Sequence, residues 1–257
     1  MNLNPNAIPG IHNYCDRWCE RCYFTSRCNV FENTRDINPE EQDIHNKAFW
    51  DKISSQFKET IELLYRAAAE QGLDLRAIPE KELKKAKQEQ KIIQDKGEKH
   101  PLSGLSMNYA TTAMNWLRTT DNLKEKQEEL LQHLSLGILP EEQAKAQVAT
   151  LQDCLEIIQW YLHFIHVKLM RAIMGKLEDD GWDEKNGFQN DYDGSAKIAL
   201  IATDRTLQAW FALHQLTPLD EDEFLKIVSM LQRIKVQTEK EFPKAYQFVR
   251  PGFDEDV

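Results

Sequence analysis

Residues 151–174 read LQDCLEIIQWYLHFIHVKLMRAIM. At 100° per residue, Leu155, Ile158, Leu162, Ile165 and Leu169 share one helix face. Glu156, Gln159, His163 and His166 fall on the other side, together with Trp160, Val167 and Met170. A helix apolar over most of its circumference belongs inside a larger assembly. Pro140-Glu141-Glu142 supplies a proline and two acids for its start, and the helix is expected to extend to about Met174-Gly175. A helix of about 35 residues spans about 50 Å, long enough to be the spine of an all-α fold.

The segments around it carry the same signature. Only 10 Gly and 9 Pro occur in 257 residues, which favours long helices over turn-rich strands. SAKIALIATDRTLQAWFALH (195–214) has a narrow polar strip of Lys197, Asp204 and Gln208. Its Ala199, Ala202 and Thr206 allow close helix approach, so it reads as a second central helix, capped by Asp193 and Gly194. Asn38-Pro39-Glu40-Glu41 opens a helix expected to reach Gln71-Gly72, with Phe49, Ile53, Phe57, Ile61, Leu64 and Ala68 in one stripe. PEKELKKAKQEQKIIQDKGEK (79–99) reads as a charged, solvated helical excursion with Glu80–Lys84 and Asp95–Lys99 pairs.

After Pro101 a helix carries Leu105, Tyr109, Ala113, Trp116 and Leu117, breaks near Thr119–Asp121 and continues through Leu130 and Leu134. The last long helix starts after Thr217-Pro218 and stops before Pro243, and the tail packs back through Tyr246, Phe248 and Phe253. The expected organisation is a cysteine-rich metal-binding segment over 1–35 and a multi-helix bundle over 36–257 with an extended C-terminal tail.

The formal net charge is −10, which argues against nucleic acid as a partner, since phosphate binding needs clustered Lys and Arg. MNLNPNAIPG has neither the basic nor the apolar region of a secretory signal. No apolar run approaches the roughly 18 residues of a membrane span, so no membrane association is expected. The acidic loop KLEDDGWDEKNGFQNDYD (176–193) lacks the glycine and glutamate positions of an EF-hand. Walker, dinucleotide, nucleophile-elbow and His-Glu-x-x-His motifs are absent from the sequence.

Four of the five cysteines, Cys15, Cys19, Cys22 and Cys28, lie within IHNYCDRWCERCYFTSRCNVF (11–31) as C-x3-C-x2-C-x5-C. Such packing implies a metal centre in a reducing compartment rather than a disulfide framework, and the cytoplasm is the expected location. Cys154 lies alone in a helical pattern and reads as a small core residue. Thiolates suit both zinc and iron–sulfur centres. Structural zinc sites usually join two knuckles, and here Cys19-Glu20-Arg21-Cys22 is one. Several cysteines along one loop fit an iron–sulfur cluster.

WCERCYFTSRC (18–28) resembles the iron–sulfur loop of helix-hairpin-helix DNA glycosylases, whose last three cysteines share the C-x2-C-x5-C spacing. The resemblance covers residues 15–28 and implies a [4Fe–4S] cluster on Cys15, Cys19, Cys22 and Cys28. The first interval differs, and no hairpin-lysine-aspartate constellation accompanies the loop, so the glycosylase activity is not implied. The C-x3-C-x2-C run also occurs in radical enzymes that use S-adenosylmethionine, but the strand–helix alternation of their barrel is missing here. Arg17, Arg21 and Arg27 would offset the charge of a thiolate centre, Trp18, Tyr23 and Phe24 would shield it, and His12 would hydrogen-bond to it or replace a ligand.

Three functional readings follow. The first is a cytoplasmic helical protein whose [4Fe–4S] cluster is structural or serves electron transfer or redox sensing with a protein partner. The second is a zinc-stapled scaffold or interaction module. The third is an enzyme with Glu156, His163, Lys197 and Asp204 between its central helices. The paired Glu-x-x-His motifs of di-iron bundles are absent from both of those helices.

Overall fold

The structure, a computed structural model, describes residues 4–35, 39–75, 77–217 and 219–254. All regular structure among them is helical. The described residues form two compact units, one of 4–13 and 17–92, the other of 14–16 and 93–254.

The first unit begins with single 3-10 turns at Ile11–Asn13, Cys19–Arg21 and Thr25–Arg27. Helices α1 (Asn29–Arg35), α2 (Pro39–Gln42) and α3 (Lys47–Glu70) follow. The helix expected to run on to Gln71 is thus interrupted. Asp43 Oδ1 accepts the His45 N–H at 2.9 Å, and Asn46 Oδ1 accepts the Ala48 N–H at 3.0 Å, so the chain turns and caps afresh. Asn38, the expected cap, lies outside the described residues. Helix α4 (Glu80–Glu98) is the charged excursion and carries the expected Glu80–Lys84 pair at 2.8 Å. Its last turn, residues 93–98, belongs to the second unit and is not solvated: Gly97 is buried, and a Cβ there would meet Met174 Cγ at 3.2 Å.

The second unit contains α5 (Pro101–Thr119), α6 (Asn122–Ser135), α7 (Glu141–Glu178), the short α8 (Trp182–Lys185), α9 (Asp191–Leu216) and α10 (Glu221–Glu241). Helix α7 packs on α9 and α5, while α10 packs on the same two, which closes a four-helix ring. Leu102, Ala172, Ile173, Ala196 and Leu200 form one apolar cluster with Phe242 and Ala245. Trp210 is fully buried, stands edge-on to Trp116 with ring centroids 5.0 Å apart, and donates its indole N–H to Tyr109 Oη at 3.3 Å. Buried Thr203 and Thr206 donate to the carbonyls of Ala199 and Ala202, both at 2.7 Å, whereas the buried Ser195 hydroxyl of the same helix has no hydrogen-bond partner. Cys154 is in the core, 3% exposed. No helix among the described residues is long and apolar enough to cross a membrane.

Two glycines read as helix ends are instead points of close packing. Helix α7 passes through Gly175 to Glu178, and a Cβ at Gly175 would meet Tyr192 Cβ at 3.3 Å. Helix α9 begins at Asp191 after Asn190, which places Gly194 in the first turn rather than at the cap. A Cβ at Gly194 would fall 2.5 Å from Tyr14 Cε1 and 2.6 Å from Phe248 Cζ. Helix α10 is capped by Asp220, whose Oδ1 accepts the Glu223 N–H at 3.0 Å, while Pro218 lies outside the described residues.

The tail returns over α9. Phe248 is buried, with its ring 4.5 Å from that of Tyr14, whereas Tyr246 stays exposed and donates to Glu239 at 2.9 Å. Phe253 lies under the Arg250 guanidinium. Lys197 Nζ donates to Phe248 O at 2.6 Å and to Asp254 Oδ2 at 2.7 Å, and Arg250 also pairs with Asp254.

Gly194→Ala is expected to destabilise the second unit by about 1–3 kcal/mol in urea unfolding, because two packed rings must move. The loss should shrink when Tyr14 is also Ala, and an equal loss in both backgrounds would contradict this packing. Burial raises the Asp254 carboxyl pKa, but hydrogen bonds from Arg250 and Lys197 outweigh it and hold the group well below the ordinary range. A depressed carboxyl stabilises fully above its unfolded value and loses that contribution progressively as pH falls from there through its folded value. Hydrogen-exchange protection of residues 246–254 should therefore persist at neutral pH and fade below about pH 4.

Candidate metal centre

The cysteine-rich loop is assembled from short local hydrogen bonds. Within the first unit, residues 4–8 back the third turn: Asn4 Nδ2 donates to Ser26 O at 2.9 Å, Ile8 N to Arg27 O at 3.0 Å, and Arg27 Nε to Asn6 O at 3.3 Å. Cys19 opens its 3-10 turn, closed by the Cys22 N–H on Cys19 O at 3.2 Å. Cys22 follows the turn in an extended conformation, φ −93° and ψ 127°. Cys22 Sγ also accepts the Phe24 N–H at 3.4 Å. A second turn, closed by the Cys28 N–H on Thr25 O at 3.2 Å, leads into α1.

Aromatic and cationic groups lie around these cysteines, as the sequence suggested. The Arg21 guanidinium lies 4.0 Å from the Trp18 ring centroid, and Trp18 and Phe24 are half-buried. Tyr23, by contrast, is 96% exposed and shields nothing. Arg17 adopts φ 61°, a left-handed conformation that costs an L-residue about 1–3 kcal/mol. Burial, then the positive charge of Arg17, lowers the His12 pKa, so its imidazole is neutral at pH 7.

Cys15 belongs to the three-residue segment of the second unit, and both of its neighbours are tied to the helices there. Asp16 Oδ2 accepts from Tyr161 Oη and from Arg205 Nη1, each at 2.7 Å, and Arg205 Nη1 also donates to Tyr161 Oη at 2.7 Å. Trp160 Nε1 donates to Asp16 O at 2.9 Å. Tyr14 Oη donates to Asp191 Oδ1 at 2.9 Å, and Arg171 grips both oxygens of Asp191. Burial first, and a carboxylate acceptor second, push both phenol pKa values above the ordinary range. Both hydroxyls therefore remain donors at neutral pH. Sequence reasoning missed all of these anchors, because each bond joins residues far apart along the chain and no local spacing announces it.

The donor chemistry suits a thiophilic centre: Cys15, Cys19, Cys22 and Cys28 are half-buried thiols, none of them in a disulfide. Among the described residues, no group of three or more Cys, His, Asp or Glu side chains is gathered closely enough to hold a metal ion.

The bundle candidates are engaged with separate elements. Lys197 holds the tail, and Asp204 accepts from Lys235 of α10 at 2.8 Å. Glu156 and His163 are exposed on α7, while half-buried His166 hydrogen-bonds to Ser106 of α5 at 2.9 Å. No protein-family model, curated protein or solved structure matches the chain.

Asp16→Ala leaves the Tyr161 hydroxyl and Arg205 without their shared acceptor. Urea unfolding should show a loss of about 1–3 kcal/mol, and Arg205→Met should cost less in that background than in the native chain. Additive losses would mean that the three groups do not act together.

Proposed function

We propose that Cys15, Cys19, Cys22 and Cys28 hold a [4Fe–4S] cluster whose first task is structural. One observation carries this reading. Ile11, 2% exposed, is the single buried residue among the described side chains of the first unit. A segment of this size with almost no apolar core gains too little from burial to offset its conformational entropy, and such segments are held by disulfides, metals or association. The cysteines form no disulfide, and four soft donors on one short loop close around a centre at small entropic cost.

The residues present would each contribute. The Phe24 N–H would remain on Cys22 Sγ and tune the sulfur, Arg21 and Arg17 would offset anionic charge, and Trp18 and Phe24 would limit water. When bound, such a cluster also supplies one-electron chemistry at a potential set by those hydrogen bonds and by exposure. A redox or protein partner would meet the loop at exposed Tyr23, beside Cys22. Free thiols held for such a centre favour a reducing compartment such as the cytoplasm. The zinc reading is favoured by the knuckle itself, since a single 3-10 turn with an N–H on its second sulfur suits a small tetrahedral ion.

Anaerobic purification followed by metal, sulfide and absorption analysis tests the centre. Iron and sulfide in equal amounts, with broad visible absorption, are expected. A colourless protein with stoichiometric zinc would replace the cluster with the alternative. Cys22→Ser should lose the metal and the cooperative melting of the first unit together; loss of metal with unchanged melting would remove the structural role.

A further inference from the structure

Helix α3 carries an apolar face that the first unit leaves largely exposed. At 100° per residue, Phe49, Ile53, Phe57, Ile61, Leu64 and Ala68 lie within an arc of about 120°, and every charged residue of the helix lies outside it. Phe57 is 65% exposed, Leu64 60% and Ile61 49%, and no residue of α3 is buried. Isolated apolar residues on a surface need no explanation, but a continuous stripe along 24 residues marks an interaction surface.

The order of residues along the stripe identifies the occupant. It is nearly palindromic about the Thr60–Ile61 bond. If a second copy of α3 lies antiparallel across a two-fold axis at that point, Ile53 comes level with Ala68, Phe57 with Leu64, and Thr60 with Ile61. Large residues then meet smaller ones at each level, the condition for interdigitated packing. The charges follow the same symmetry. Lys58 and Glu62 share one edge of the stripe, and antiparallel helices bring like edges together, so Lys58 of each copy comes level, within one residue, with Glu62 of the other. Lys52 and Glu70 have the same relation along the opposite edge.

We propose that the apolar face of α3 is a self-association surface, pairing two copies of this chain through antiparallel α3 helices about a two-fold axis at Thr60–Ile61. An isologous contact of this kind closes on itself and ends at a dimer. It also gives the first unit a second means of burying apolar surface, independent of the cysteines.

Light scattering of the full chain at micromolar concentration should give 60.0 kDa, twice the 30.0 kDa chain. Phe57→Lys should give the monomer mass with unchanged circular dichroism, since the side chain is exposed in the single chain. Orientation is tested by mixing. Lys58→Glu places four acids at the axis and Glu62→Lys four bases, so each alone should raise the dimer Kd by roughly fivefold or more, while an equimolar mixture should form the heterodimer preferentially. A monomeric native chain, a one-to-one complex with a different protein in place of the dimer, or a mixture with no heterodimer preference would overturn the proposal.

Discussion

Ala172 of α7 and Ala196 of α9 share one apolar cluster with Leu102, Leu200 and Phe242, and Gly175 nearly touches Tyr192. Helices with small residues at the crossing can approach closely, and their larger neighbours then interdigitate. The placement of α7 against α9 sets the rest of the second unit. It gives α5 and α10 a surface to complete a ring, positions Tyr161 and Arg205 to receive Asp16, and brings Gly194 to where the Tyr14 and Phe248 rings fill the space of a missing side chain. The Lys197–Asp254 pair then holds the tail along α9.

The two units rest on different physics. In the second, Trp210, Tyr109, Ile165 and Leu169 are fully buried, and full burial of a large apolar side chain contributes about 1.5–3 kcal/mol. In the first, helix α3 has strong amphipathic patterning but no buried residue, and the cysteine-rich loop depends on backbone turns and a few side-chain bonds. Such a segment reaches stability through added cross-links or association. The proposed thiolate centre and paired α3 helices would be two such additions.

Much of the helical architecture was legible because it follows from periodicity. The 151–174 run, the break near Thr120, the core position of Cys154 and the small residues of α9 all report local spacing. Boundaries at glycine were less legible. Gly175 and Gly194 have the composition of helix ends, and only the tertiary neighbours Tyr192, Tyr14 and Phe248 show that they serve packing. Of the candidate site, the sequence identified the thiols but not the anchors flanking Cys15, since Asp16 meets Tyr161 and Arg205 across most of the chain. For Lys197 and Asp204 the sequence showed polar groups on an apolar helix, and the partners that tie them to the tail and to α10 lie outside any local pattern.

The central claim is that a metal centre holds the cysteine-rich segment, and hydrogen exchange of the metal-loaded and chelated protein addresses it most directly. The account predicts that amides of residues 4–31 are protected with metal and exchange freely after its removal, while α7 and α9 keep their protection. Identical exchange of residues 4–31 in both states would contradict it.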